Sequence, residues 1–199
     1  MFTYHPIAPE IRAAIIGLPR AGISKLLLAY LNKPFTFTYQ YSGCYTDFTG
    51  KHQTIEGQSV FYKIFALSTH DWQTKSDFFK EDINQKANVC FACFDLTSQS
   101  SFDEMINYLR GITFIDPSKV ILVGTKSDLV AERKICKDKI AAAMVELGLN
   151  SYISTNAKEN RNIEEVFDAG LKLGYSCIKK PEPQLKESEF IGNINTISP

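Results

Sequence analysis

The chain has 199 residues, 44% hydrophobic and 22% charged, which allows one substantial globular domain and excludes two of ordinary size. Lysine plus arginine equals aspartate plus glutamate at 22 each, so no global field would recruit nucleic acid or anionic lipid. No apolar run reaches the ~20 residues of a membrane-spanning helix, and "MFTYHPIAPE" lacks the order of a secretory signal, so a soluble cytoplasmic protein is expected.

In chain order, "IRAAIIGL" (Ile11–Leu18) is a short apolar run ending in glycine and proline, the pattern of a strand entering a loop. "ISKLLLAYL" follows with leucines at helical spacing. "CYTDFTGKHQTIEGQSVFYKIFAL" reads as two strands joined at "EGQ", with Gly57 at the turn and Val60, Tyr62 and Ile64 alternating behind it. "ANVCFACFDL" is an apolar strand, and "SQSSFDEMINYLRGI" an amphipathic helix with a serine cap and an acidic first turn. "KVILVGT" is a buried strand, "ERKICKDKIAAAMVELG" a helix stopping at Gly148, "SYIST" a last short strand and "NIEEVFDAGLKLGYSCIKK" a last helix. Residues 1–179 therefore form one domain, and the aperiodic, proline-containing stretch 180–199 is expected as a mobile tail.

Six strands interleaved with helices predict an α/β fold: a mostly parallel sheet covered on both faces, with one antiparallel edge strand supplied by the hairpin. Five cysteines, an odd number in apolar contexts, read as reduced thiols. Cys90 and Cys93 form C-x-x-C inside a strand, where core packing is the expectation and a metal site is not.

Ligands bind such sheets at the carboxyl ends of the strands. "GLPRAGIS", Gly17 to Ser24, lies at one such end with the glycine spacing of the phosphate-binding loop G-x-x-x-x-G-K-[ST], but Ile23 stands where the lysine belongs. After the next buried strand comes "TKSD", with Lys126 and Asp128, and after the last comes "NAK", Asn156 to Lys158. These two resemble the N-K-x-D and S-A-K elements of small GTPases. Phe35, eleven residues past Ser24, matches the aromatic whose ring edge abuts the base. The resemblance, over about Ile11 to Ile178, is to the Ras superfamily, most nearly its Rab branch.

It implies the P-loop NTPase or small GTPase fold and guanine nucleotide, GTP or GDP, as ligand. Asp128 would accept from the guanine ring nitrogens, the Lys126 stem would pack over the base, and the Ala157 N–H would meet the guanine O6, with Lys158 on the ring. Gly17, Arg20, Ala21, Gly22, Ile23 and Ser24 would form the phosphate loop, with Ser24 and Ser42 offering hydroxyls to Mg2+. Ser42 lies eighteen residues past Ser24, where the family carries a threonine.

The sequence departs from that pattern at the phosphate end. Ile23 supplies no charge; Lys25 comes one residue late on the helix, and Arg20 is a candidate substitute cation. In "KIFALSTHDW", Ala66 replaces the aspartate that holds magnesium through water, Thr69 the glycine that senses the γ-phosphate, and His70 falls at the water-positioning place as the candidate catalytic residue. Mg2+ should therefore be weakly held and hydrolysis slow or absent.

Three functions remain open on the sequence: a nucleotide-binding protein acting through protein partners at its switch regions, plausible in vesicle traffic; a nucleotide-free pseudo-GTPase scaffold; and an active GTPase using Arg20 and His70. A monomer without nucleic-acid partner or lipid anchor is expected, since "NTISP" offers no lipidation motif. The acidic tail, with Glu182, Glu187 and Glu189, resembles a type IV secretion signal and would suit a bacterial effector delivered to host cytoplasm; a diverged protist GTPase fits equally.

Overall fold

A computed structural model describes residues 8–35, 49–68, 87–111 and 116–179 of the chain. The strands are β1 (Glu10–Gly17), β2 (Thr49–Ile55), β3 (Gln58–Ser68), β4 (Val89–Asp95), β5 (Val120–Thr125) and β6 (Ser151–Ser154). They form one six-stranded sheet in the order β2-β3-β1-β4-β5-β6. Only the β2–β3 pair is antiparallel, closed by a tight turn in which Glu56 and Gly57 take φ of 50° and 78°. Two consecutive left-handed residues match the right-handed twist of a hairpin, and Gly57 accepts that conformation without strain. Every other pairing is parallel, so the expected sheet and its single antiparallel edge are both present.

Four α-helices among the described residues cover the sheet: α1 (Ile23–Tyr30), α2 (Gln99–Gly111), α3 (Lys137–Leu147) and α4 (Ile163–Lys179). Strand residues alternate between two cores. Ile11, Ala13, Ile15, Phe91 and Cys93 pack toward Leu26, Leu27 and Tyr30 of α1 and Val166, Phe167 and Leu171 of α4. Ala14, Ile16, Cys90, Ala92 and Phe94 pack toward Phe102 and Met105 of α2 and Ile140 of α3. Gly170 sits where α4 presses on the sheet, since a Cβ there would run into the Phe91 ring.

The alternation also settles the C-x-x-C pair. Cys90 and Cys93 belong to opposite cores, so they share no face on which a metal could be held. Burial pushes the Cys90 thiol up to about 12 and the Cys93 thiol higher still, which keeps both protonated and inert.

Two sequence expectations need correction. The helix read from Glu132 begins at Lys137. Residues 133–136 are instead drawn out beneath the sheet: the N–H groups of Lys134 and Ile135 both donate to the Leu96 carbonyl, and Ile135 is fully buried. These long-range bonds, with the burial of Ile135, override helix propensity. The acidic first turn expected for α2 is also absent, because the helix starts at Gln99 and Asp103 and Glu104 fall in its second turn. The serine cap is present, with Ser98 Oγ accepting from the Ser101 N–H at 3.3 Å.

Candidate nucleotide site

The carboxyl ends of β1, β4, β5 and β6 carry the loops that the sequence singles out. After β1 the chain turns at once, the Ala21 N–H donating to the Leu18 carbonyl at 3.0 Å. Arg20 takes φ of 71° and Gly22 φ of 86°, and α1 starts immediately behind them. Left-handed residues in such a loop turn successive N–H groups toward one side, and the helix start adds its positive end. The N–H groups of Gly22, Ile23 and Ser24 have no carbonyl acceptor among the described residues. The sequence chose glycine at 22 for two reasons: the positive φ, and the Thr125 hydroxyl 3.1 Å from where a Cβ would lie.

Thr125 is the join between the halves of the site. It is 4% exposed, and its Oγ1 lies 2.7 Å from the Ala21 carbonyl and 3.1 Å from the Phe94 carbonyl. The next residue, Lys126, adopts φ of 59° and turns its ammonium to Asp95 Oδ2 at 2.5 Å. Ser127 N–H donates to the Thr155 carbonyl at 3.0 Å, which ties the loop after β5 to the loop after β6. Arg20 and Lys126 are long side chains in a conformation that costs roughly 1 kcal/mol or more, and each lies in a site loop.

Asp95 escaped the sequence reading, although its signal was present. It ends β4 and accepts from both the Thr97 N–H at 2.8 Å and the Thr97 hydroxyl at 2.7 Å, the turn that an aspartate two residues before a threonine favours. Burial pushes its carboxyl up, but the Lys126 ammonium and the two Thr97 bonds outweigh that and hold it below the ordinary aspartate value. Asp95 and Lys126 line a cleft of about 420 Å3 with Leu18, Pro19, Arg20 and Glu104.

At the end of β6, Asn156 is fully buried. Its Oδ1 accepts from the N–H groups of Lys158 at 3.0 Å and Glu159 at 3.2 Å, which fixes the amide's orientation. Nδ2 is left a buried donor without an acceptor among the described residues. Ala157 is half-buried and Lys158 exposed, while Asp128 across the join is half-buried. Phe35 is 43% exposed, with the Lys25 ammonium 4.8 Å over its ring and 2.5 Å from its carbonyl.

The structure thus brings Gly17, Arg20, Ala21, Gly22, Ile23 and Ser24 together at the passage from β1 into α1, stitched by Thr125 to the segment of Lys126 and Asp128, which Ser127 in turn ties to the loop of Asn156, Ala157 and Lys158. Ser42, Thr69 and His70 lie outside the described residues, as does the tail 180–199. Ala66 is placed by its backbone in β3, opposite Ile15.

A guanine nucleotide fits part of this frame. Free N–H groups at the start of α1 suit an anion, and the orphaned Asn156 amide marks the base loop as short of an acceptor. The outer phosphate end does not fit: Ile23 is 7% exposed, lies in the α1–α4 core, and its Cδ1 would be 2.7 Å from a Cβ on Gly17.

A profile of the Ras family matches residues 12–173, which is most of the chain. The chain belongs to the Ras family. Among relatives, human Rab-19 is 27% identical over 155 residues, covering 77% of this chain and 70% of that protein. Mouse RhoF, a Rho-related GTP-binding protein, is 25% identical over 200 residues, covering 89% of this chain and 88% of its own. Human Rab-39A reaches 32% identity, but over 95 residues and 43% of its length. Against rat and mouse Rab-19 the chain spans about half of the relative, 55% in each. The six-stranded, mostly parallel sheet is that of the small GTPase fold. No helix among the described residues is long and apolar enough to cross a membrane.

Proposed function

We propose that this Ras-family chain binds guanine nucleotide at the carboxyl ends of β1, β5 and β6, hydrolyses GTP slowly or not at all, and acts by engaging protein partners. The observation that carries the reading is the half-buried Asp128 carboxylate on a loop that Thr125 joins to the one where the N–H groups of Gly22, Ile23 and Ser24 have no carbonyl acceptor among the described residues. Two strained residues, Arg20 and Lys126, are kept in those loops. Such strain is retained where a site needs it. Asp128 would select guanine, and Ser24 and Ser42 would hold Mg2+ only weakly, because alanine at 66 brings no carboxylate. Slow hydrolysis follows from the missing cation, since phosphoryl transfer rests on positioning and charge.

Partners would meet the segments around Ser42 and His70. Through those partners the protein would be recruited to vesicle traffic, as a monomer in the cytoplasm, including that of a host receiving a secreted bacterial effector. The test is the nucleotide released from purified, denatured protein, with and without EDTA. Released GTP supports binding with slow hydrolysis, and released GDP supports binding while pointing to surviving cleavage or a diphosphate preference. Asp128→Ala should remove the nucleotide.

A second reading, a nucleotide-free scaffold, is favoured by Ile23 itself, whose side chain has joined the core. An empty protein that also fails to bind added GTP would establish it. The third, hydrolysis using Arg20 and His70, requires turnover that falls in His70→Ala.

A further inference from the structure

Among the described residues near the phosphate loop, the lysine cations are engaged elsewhere, and Arg20 shares a cleft with two carboxylates. The Lys25 ammonium lies against the Phe35 carbonyl and ring. The Lys126 ammonium is paired with Asp95, and Arg20 lines the cleft that Asp95 and Glu104 share. At the lysine position Ile23 turns inward, 7% exposed, against Gly17. The donors that remain are backbone N–H groups, those of Gly22, Ile23 and Ser24 at the start of α1. Backbone donors in such a loop cradle the inner phosphates. Recognition of a terminal phosphate needs a long charged side chain or a well-held metal ion; position 23 offers no charge, and the one long cation of the loop, Arg20, lines a cleft with the carboxylates of Asp95 and Glu104, which offset its charge toward a further phosphate.

We infer that the site takes guanosine diphosphate and guanosine triphosphate with nearly equal affinity, and without dependence on a divalent cation: the third phosphate is not read. This rests on the guanine-nucleotide reading above and goes further. A site blind to the third phosphate cannot report hydrolysis or exchange by a change in affinity. The protein would then hold whichever guanine nucleotide is abundant, and would not be switched by its phosphate count. A charge-assisted hydrogen bond of the kind lost at position 23 is worth roughly tenfold to a hundredfold in affinity, and that is the margin by which the two nucleotides could otherwise be told apart.

The experiment is calorimetric titration of the full chain, stripped of nucleotide, with GMP, GDP, GTP and ATP, each with Mg2+ and with EDTA. The expected result is GDP and GTP within about threefold of one another, both changed less than about threefold by EDTA, and GMP at least about tenfold weaker, because the backbone donors lose a phosphate. A tenfold preference for GTP over GDP, or a tenfold loss of either on adding EDTA, overturns the inference while leaving guanine binding intact. Binding of none of them, or of ATP as well as GTP, overturns the guanine reading itself. Ile23→Lys should open the GTP-to-GDP ratio to about tenfold with Mg2+ present. If that variant melts like the parent and the ratio stays closed, the isoleucine is not the cause and the inference fails. If it does not fold, the parent titrations decide the matter alone.

Discussion

Thr125→Val tests the join between the two loops with the least change of shape. Valine keeps the branched volume beneath Gly22 and removes only the hydroxyl. That hydroxyl has one proton, and the 2.7 Å contact to the Ala21 carbonyl is the shorter of its two. Losing a hydrogen bond costs about 0.5–1.5 kcal/mol net; stranding the carbonyl raises the total to about 1–3 kcal/mol, since residues 21 and 125 are 1% and 4% exposed. A domain of this size shifts by about 2–4 °C per kcal/mol, so a central loss of about 2 kcal/mol lowers the midpoint by about 6 °C. The assay is thermal unfolding without added nucleotide, because a ligand would add its own stabilisation. Thr155→Val is the control: its hydroxyl is 3.4 Å from the Gly124 carbonyl, too long to contribute much, and it should cost far less. A Thr125→Val midpoint within about 1 °C of the parent, or equal losses in both variants, would refute the reasoning.

Asp95→Asn should change how stability depends on pH. The native carboxyl is held below its unfolded value of about 3.9, so its contribution is full at neutral pH and is lost as pH falls through that depressed native value. The variant should be less stable at pH 7 and show a flatter loss from about pH 5 to pH 2 in urea midpoints; parallel profiles would show that the Lys126 pairing contributes nothing. Gly170→Ala should destabilise despite alanine's better helix propensity, because the new Cβ meets the Phe91 ring and would be 2.7 Å from the Tyr62 hydroxyl, both in a full core. A loss of about 1–3 kcal/mol is expected as a lower urea midpoint with unchanged slope, and an unchanged or higher midpoint would mean that α4 can move away from the sheet.

How much of this was legible in the sequence depended on the range of the interaction. The apolar runs Val89–Asp95 and Val120–Thr125 declare buried strands because both of their faces are covered, and that is a local property. Gly57 and Gly148 mark a turn and a helix end for the same reason, each being held at positive φ. The start of α3 was misread because what unwinds residues 133–136 is a contact across the chain, two N–H groups on the Leu96 carbonyl. The site divides in the same way. Lys126 and Asp128 stand out by resemblance to the N-K-x-D element, but the bond from Thr125 to Ala21 spans 104 positions and the pairing of Lys126 with Asp95 spans 31, and no local pattern contains either. Helical geometry alone puts Lys25 on a different side of the helix from position 23, and its ammonium lies against the Phe35 carbonyl.

The two ends of the site are encoded in different currencies of chemistry, which explains why one can erode without the other. The phosphate loop works through backbone N–H groups, and these belong to any sequence able to hold the turn. Arg20 manages it at φ of 71° without being glycine, so the nest tolerates substitution at some strain. A lysine's ammonium has no such redundancy: one change to isoleucine removes the charge and lets the freed stem sink beside Gly17 into the α1–α4 core. The base end shows the reverse arrangement. Lys126 is fixed by Asp95, Asp95 by Thr97 and by the Ser101 hydroxyl on its own N–H at 3.0 Å, and the loop by Thr125. A network so interlocked also supports the fold at four strand ends, so its members resist change even where ligand chemistry no longer demands them. Persistence of Thr125 or Asp95 is therefore weak testimony to nucleotide binding. Asp128 is the stronger witness, a half-buried carboxylate with no hydrogen-bonded partner in that network, and its substitution separates a binding site from a relic of one.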